Sequence, residues 1–296
     1  MIRGVLLPVI TPFDEKVRVD EQMMRQAVEF HIKAGVQGLF VLGSTGQGPA
    51  MTIQERKRTA AVALEQAKKR LPVVVHVGTA DTASTVDLAE HAAGNGADAL
   101  AMVPPYYYSD HSEFEIIAHY KAVHKAVSLP IYIYENPKYS GISIPPGLAV
   151  RLREQVPALQ GIKVAYGQGA LLEYVRLLPG VSVFTGNADL FGLMPFGLAG
   201  MINPPTSFVP ELCVDLFKKL DDKDYGAAVE AQKRVDTAAR IVAARLRKYG
   251  RVPLQEVYRM RGLAVKRFPK WQTEQMPREE VAKLERELRE AGILGE

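Results

Sequence analysis

Leu159-Gln160-Gly161-Ile162-Lys163-Val164-Ala165 is the stretch on which the reading of this chain turns. From Leu159 to Val164 the run is mostly apolar and reads as a strand, yet a lysine stands near its end. Charged side chains are rare inside such runs unless something uses them. Lysine is also the cation whose pKa drops readily on burial, which suits its amine to imine chemistry with carbonyl compounds. The plain alternative is a strand end whose ammonium reaches water. What decides between them is whether the flanking sequence builds a site around Lys163.

Short apolar runs recur on both sides of it. Residues 5–10, 38–42, 73–77, 99–103 and 130–134 precede the lysine run, and residues 181–185 and 200–203 follow it. Helical spacing fills the intervals, at residues 20–35, 52–69, 82–95, 112–127, 145–155, 168–178, 188–198 and 209–220. Asp20 caps the first helix, and Thr52 with Glu55 and Ser112 with Glu115 make capping boxes for two others. Continuous apolar strands alternating with helices are what a parallel sheet covered on both faces requires. Eight such units predict a (β/α)8 TIM barrel over residues 1–222, and a doubly wound sheet accommodates them less well. Beyond Asp224 the pattern is purely helical, at residues 225–249, 254–268 and 278–291. Residues 223–296 therefore read as a C-terminal helical extension packed on the barrel or on a neighbouring subunit.

Composition excludes several classes. The chain has 296 residues, 47% hydrophobic and 24% charged, which suits one large globular unit. No run approaches the ~18–20 apolar residues of a membrane span. Met1-Ile2-Arg3-Gly4 leads straight into a strand without a signal-peptide layout. The single cysteine, Cys213, permits no internal disulfide and lies in an apolar helical pattern as a core residue. A cytoplasmic location is expected from these features. The net charge is +4, but the basic residues of the last third share their helices with acids. Those are solvated faces, so neither a nucleic acid nor a membrane is expected as a partner. The six histidines include no i,i+4 pair, so no metal site is expected. The glycines at 43, 46 and 48, and Gly167-Gln168-Gly169, do not follow the Gly-x-Gly-x-x-Gly order of dinucleotide sites.

The residues that carry chemistry share one place in the pattern. Gly43-Ser44-Thr45-Gly46 follows the second strand, and Tyr106, Tyr107 and Tyr108 follow the fourth. Tyr134 ends the fifth, Lys163 the sixth, Gly186-Asn187 follows the seventh, and Ile202-Asn203 ends the eighth. In a barrel all of these meet at the face where active sites form. Lys163 then acts as an amine of lowered pKa, and Tyr134 moves protons to and from the carbinolamine. Ser44 and Thr45, in a glycine-bracketed turn before a helix, suit a substrate carboxylate. The alternatives are a barrel-lining aromatic for Tyr134 and capping hydroxyls for the turn.

With these residues in place the chain resembles the dihydrodipicolinate synthase / N-acetylneuraminate lyase family of Schiff-base pyruvate enzymes. The resemblance rests on Gly43-Ser44-Thr45-Gly46, Pro105-Tyr106-Tyr107, Tyr134-Glu135-Asn136-Pro137, Gly161-Ile162-Lys163 and Gly186, and it extends over essentially the whole chain. It implies that Lys163 forms an imine with pyruvate or another 2-oxo acid and that Tyr134 is the acid/base. It implies that Thr45, with Ser44 and Gly46, holds the carboxylate, and that Gly186 and Ile202 line the pyruvate pocket. It further implies that Tyr107 reaches into a neighbour's site, completing a hydroxyl relay through Ser44 to Tyr134. A homotetramer built as a dimer of dimers follows from that relay. The second substrate is then an aldehyde, and no cofactor is needed.

Departures from the family's best-known members concern the second substrate. Where the synthases place an arginine after the catalytic tyrosine, this chain has Tyr139 with Lys138 beside it. Where sialic-acid lyases place a threonine and acidic residues, it has Ala165 and Asn187-Ala188-Asp189. Gln47, Glu135 and Pro204-Pro205 also depart from the usual pattern, while Gly46-Gln47-Gly48-Pro49 and Pro104-Pro105-Tyr106-Tyr107-Tyr108 resemble 2-keto-3-deoxygluconate aldolases. The expectation is a lyase that cleaves or forms a carbon–carbon bond in a 2-oxo acid of the 2-keto-3-deoxy type. A dehydratase, a hydratase-aldolase and dihydrodipicolinate synthase are alternatives on the same imine, and an inactive binding barrel is the alternative of another class. Tyr139, Ala165 and Ala188 predict a nearly uncharged pocket rim suited to a less polar aldehyde.

Overall fold

The computed structural model describes residues 1–165, 168–203 and 206–295. Gly167 and Pro204-Pro205, singled out above, lie outside the described residues. All eight strands form: β1 (Gly4–Pro8), β2 (Gly38–Val41), β3 (Val73–His76), β4 (Ala99–Met102), β5 (Ile131–Glu135), β6 (Leu159–Val164), β7 (Ser182–Thr185) and β8 (Gly200–Met201). They are parallel and close in chain order, with β8 returning to β1 through Gly4↔Gly200 and Val5↔Met201. The helices are α1 (Glu21–Lys33), α2 (Ile53–Ala67), α3 (Thr82–Gly94), α4 (Glu113–Ala126), α5 (Pro137–Ser140), α6 (Pro146–Gln155), α7 (Gln168–Leu177), α8 (Pro210–Asp221), α9 (Tyr225–Tyr249), α10 (Val252–Met260) and α11 (Arg278–Glu290). Asp20 caps α1, and both capping boxes are made, at α2 and α4.

Strand side chains divide as a covered barrel demands. One set packs outward against the helices, with Leu7, Leu39, Val75, Ile133 and Val183 among the buried residues. The other set fills the interior, where Leu6, Phe40, Val74, Ala101, Tyr132 and Phe184 form a separate buried cluster. Cys213 is buried on α8, and its thiol donates to Thr206 Oγ1 at 3.1 Å.

Two expected helices are shorter or absent. Residues 188–198 form turns and one 3₁₀ turn at Met194–Phe196 rather than a helix. The apolar spacing there is real, since Leu190, Leu193, Met194 and Leu198 are all buried. Pro195, however, removes a backbone donor, and Gly197 takes a left-handed φ of 101°, which ends the turn. Gln232 of α9 satisfies the exposed backbone instead: its Oε1 accepts from Leu190 N and Phe191 N at 3.0 and 3.1 Å, and its Nε2 donates to Ala188 O at 2.9 Å. The helix expected over 254–268 is α10, which begins earlier, with Pro253 in its first turn, and stops at Met260. Gly262, at φ 85°, turns the chain back. α5 and the 3₁₀ turn at Gly48–Ala50 are additions, each with a proline in its first turn, where its fixed φ fits.

α9 and α10 lie against the barrel, and α11 packs on both of them. α9 packs on α8, and the buried Arg245 pairs with Glu287 of α11 at 2.9 Å. Arg251 and Lys270, from the same part of the chain, reach the turn after β2. Among the described residues no helix is long and apolar enough to cross a membrane.

Candidate active site

Strand register brings the two central side chains together. On β5 and β6 Tyr134 pairs with Lys163, and on β6 and β7 Lys163 pairs with Phe184. Register partners on adjacent strands, about 4.8 Å apart, project to the same face, here the barrel interior. One layer down the pair is Tyr132↔Gly161. The Tyr132 ring lies across Gly161 so closely that a Cβ at 161 would sit 2.0 Å from it. Glycine before the lysine strand end therefore makes room for the ring that floors the site.

Lys163 is 2% exposed. Its Nζ stands 4.1 Å from the Tyr134 ring centroid and 4.5 Å from that of Phe40. Burial pushes its pKa below that of an ordinary lysine, and the nearby Tyr134 oxygen only partly opposes this. The amine is thus more easily found neutral and nucleophilic. For Tyr134, burial works to raise the pKa, but the charge of Lys163 and hydrogen bonds from Ser44 and Asn136 outweigh it and leave the phenol below its usual value. Ser44 Oγ lies 3.3 Å from Tyr134 OH, and Asn136 Nδ2 donates to the same oxygen at 2.8 Å. A phenol so held can give a proton and take it back.

Behind the pair, His76 meets the Tyr134 ring edge-on at 5.8 Å. Burial, with Arg56 and Lys163 nearby, drives its pKa well down, so it stays neutral. Arg56 is buried too, and its guanidinium donates to Gly78 O and His76 O at 2.9 and 2.8 Å. Burial lowers its pKa to about 10, which leaves it charged under ordinary conditions.

The turn after β2 forms another side of the site. Leu42 and Gln47 both take left-handed φ values, 63° and 56°, an uncommon conformation for residues with side chains. Bonds from three directions hold it: Thr11 Oγ1 donates to Gly46 O at 2.6 Å, Lys270 N to Gln47 Oε1 at 2.7 Å, and Arg251 to Ser44 O at 2.5 Å. Ser44 and Thr45 then face a cavity of about 480 Å³ that also contains Tyr134, Asn136, Lys163, Ala165, Gly186 and Asn187. Its outer wall comes from α9 and α10, through Ala239, Val242, Leu246 and Leu254.

Most of the expected residues meet here. Gly46 underlies the turn rather than lining the cavity, and Ile202 is buried in the interior cluster. Tyr139, on α5, stands at the rim, 54% exposed. Tyr107 is not brought to Tyr134 within this chain: it is 84% exposed, has φ 87°, and stacks edge-on to Tyr108. The expectation of a nearly uncharged rim is overturned. Ala188 is not part of the lining, and Arg251, which follows Gly250 at the break between α9 and α10, brings a guanidinium beside Tyr139, with Lys138 also at the cavity. Sequence reading missed Arg251 and the role of Asn136; the only trace of Arg251 was the Gly250-Arg251-Val252-Pro253 break.

A buried amine beside a phenol, at the ends of adjacent strands of a (β/α)8 barrel, is an arrangement suited to imine chemistry. Comparison with known proteins agrees. The model of the dihydrodipicolinate synthetase family matches residues 1–291. A 4-hydroxy-tetrahydrodipicolinate synthase of Phenylobacterium zucineum is 34% identical over 238 residues, which is 79% of this chain and 80% of that one. The crystal structure of YagE, a prophage protein of the dihydrodipicolinic acid synthase family from E. coli K12 in complex with pyruvate, superposes with a TM-score of 0.90 at 25% identity, covering 99% of each chain. KD(P)GA from T. tenax superposes at 0.85 with 27% identity, over 98% of this chain and 99% of that one. The chain belongs to the dihydrodipicolinate synthetase family and is a Schiff-base lyase of the pyruvate aldolase type.

Proposed function

We propose that Lys163 is the imine-forming residue and Tyr134 the acid/base of a reaction that cleaves or forms the C3–C4 bond of a 4-hydroxy-2-oxo acid. The observation that carries this is the register pairing of Tyr134 with Lys163 in one buried layer, with Ser44 and Asn136 hydrogen-bonded or in reach of the phenol oxygen. The neutral amine adds to the C2 ketone, and Tyr134 protonates the departing hydroxyl so that water leaves and an iminium remains. Tyr134, now a phenolate, takes the proton of the C4 hydroxyl. The C3–C4 electron pair flows into the iminium, releasing an aldehyde and leaving an enamine. Tyr134 gives that proton to C3 of the enamine, and water hydrolyses the resulting iminium to pyruvate, returning Lys163 as the amine and the proton to Tyr134. Thr45 and Ser44, on the strained turn, bind the C1 carboxylate, and Gly186 lines the same pocket. Synthesis runs the same steps in reverse.

Tyr107 is proposed to complete the relay in a neighbouring subunit, because its exposed ring serves nothing within its own chain beyond the contact with Tyr108. A homotetramer acting in the cytoplasm is the form this reading requires. A pyruvate-release assay over 4-hydroxy-2-oxo acids of varied length tests the reaction. Release from some of them, abolished in Lys163→Ala, is expected; full turnover by Lys163→Ala contradicts the assignment. Analytical ultracentrifugation tests the oligomer, and a monomer with full activity removes the role given to Tyr107.

A further inference from the structure

Glu135 departs from the usual pattern and takes no part in the imine chemistry. It is 5% exposed, at the end of β5 between Tyr134 and Asn136. Alternation along the strand turns it away from the barrel interior that Tyr134 faces. Burying a carboxylate without a cation costs free energy, and burial does raise its pKa above that of an ordinary glutamate. Among the described residues no lysine, arginine or histidine pairs with it. The phenols that feel its charge, Tyr120 of α4 and Tyr174 of α7, donate elsewhere, to Met102 O and Ile144 O. The two hydrogen bonds that oppose its burial both come from one short segment. Ser143 Oγ donates to Oε1 at 2.6 Å, and Ile144 N donates to Oε2 at 2.7 Å.

The chain therefore leaves β5 at Glu135 and returns to the same side chain nine residues later. Between the two lies a compact loop. Asn136 O accepts from Tyr139 N and Ser140 N, both at 3.0 Å, and Gly141, at φ 76°, reverses the direction. On the returning limb Ile142 and Ile144 are buried, and Ser140 Oγ donates to Ile142 O at 2.8 Å. The outgoing limb brings Asn136, Lys138 and Tyr139 to the cavity, and Asn136 carries the Nδ2 bond to the Tyr134 hydroxyl. We propose that Glu135 is a positioning residue: its buried carboxylate closes the base of the loop 136–143 and so holds Asn136, Lys138 and Tyr139 at the site. A group that only accepts, through two oxygens, matches two donors on the returning chain. An apolar residue in its place would leave Ile144 N without an acceptor in the core. The proposal rests on the reading of Tyr134 as the acid/base, since Asn136 reaches the reaction through that phenol.

The test compares Glu135→Leu, Glu135→Gln and Ser143→Ala in the full-length protein. Hydrogen exchange followed by mass spectrometry reads the loop. Glu135→Leu is expected to exchange roughly tenfold to a hundredfold faster at residues 136–144 and nowhere else, the range of a hydrogen bond to a charged group. Glu135→Gln is expected to restore most of the protection, because its amide oxygen still accepts from Ile144 N. Steady-state kinetics read the site. In Glu135→Leu the limb of the kcat/KM profile that Tyr134 controls is expected to move to higher pH, and KM for the 4-hydroxy-2-oxo acid to rise about tenfold as the loop spends less time in place. Ser143→Ala removes one donor, leaves the strand untouched, and is expected to shift exchange and kinetics the same way by less. Unchanged exchange at residues 136–144 in Glu135→Leu overturns the proposal, and so does faster exchange spread over the whole barrel. A Tyr134 limb that stays in place while the loop opens also overturns it. If Glu135→Leu does not fold, Ser143→Ala decides, and unchanged exchange there overturns the proposal. Exchange needs no chemistry, so closure of the loop is judged even if Lys163 proves unreactive, and borohydride trapping with pyruvate judges Lys163 separately.

Discussion

At Lys163 the structure shows a residue whose position suits chemistry better than stability. Burying an ammonium costs free energy unless it is paired with a charge, and Lys163 Nζ stands over the rings of Phe40 and Tyr134 with only the Tyr134 oxygen to oppose the effect of burial. Its pKa lies below the 10.5 of an unburied lysine, so the unfolded chain binds the proton more tightly and stability falls as pH falls from 10.5 toward the lowered value. Lys163→Met is therefore expected to be inactive yet to melt higher than the wild type at pH 7, with the gain shrinking as pH rises toward 10.5. Thermal denaturation at several pH values measures this, and a lower melting temperature at pH 7 would contradict it. Tyr134→Phe keeps the ring against His76 and removes the hydroxyl proposed as the proton carrier. A fall in kcat of about 10²–10⁴-fold is expected from steady-state kinetics, the usual range for a lost general acid/base. Asn136 acts through Tyr134. With its Nδ2 bond to the phenol removed in Asn136→Leu, the Tyr134 pKa rises, and the limb of the kcat/KM profile that Tyr134 controls moves to higher pH. An unmoved profile would reduce Asn136 to a packing residue.

Among the elements, β6 and the segment after β7 show what was legible in sequence and what was not. The eight strands could be read because each is a continuous apolar run between helical patterns. Lys163, Tyr134, Ser44 and Thr45 could be read because they sit at strand ends or just beyond, where a barrel fixes their common face. The close fit of Tyr132 over Gly161 could not, since it depends on a register shift between Ile131 and Tyr132. Gly161→Ala is expected to lower stability by about 1–3 kcal/mol through overpacking, measured by chemical denaturation, and adding Tyr132→Leu should return part of it. The failure of the expected helix at 188–198 has a different origin. Its apolar residues are buried at helical spacing, but Pro195 and the glycines around it forbid the backbone, and Gln232 supplies the bonds from another helix. Gln232→Ala leaves three backbone partners without their bonds, so faster amide exchange confined to residues 188–198 is expected.

For the molecule as a whole, the C-terminal helices close the site as well as cover the barrel. We propose the division at residue 222 as one of architecture rather than of independent folding. α9 packs on α8, Gln232 pins the β7–β8 segment, and Arg251 and Lys270 hold the turn that carries Ser44 and Thr45. A fragment of residues 1–222 is expected to lose its near-ultraviolet circular dichroism while keeping much of its far-ultraviolet signal. Arg251 was illegible for the same reason: its place at the cavity depends on the chain breaking at Gly250 and folding back, which no local pattern reveals.

The central claim is that Lys163 is the covalent centre, and trapping tests it most directly. The protein is incubated with pyruvate, reduced with borohydride, digested and sequenced by mass spectrometry. The account predicts a carboxyethyl adduct on Lys163 that requires both pyruvate and reductant. No adduct, or one confined to other lysines, would contradict it.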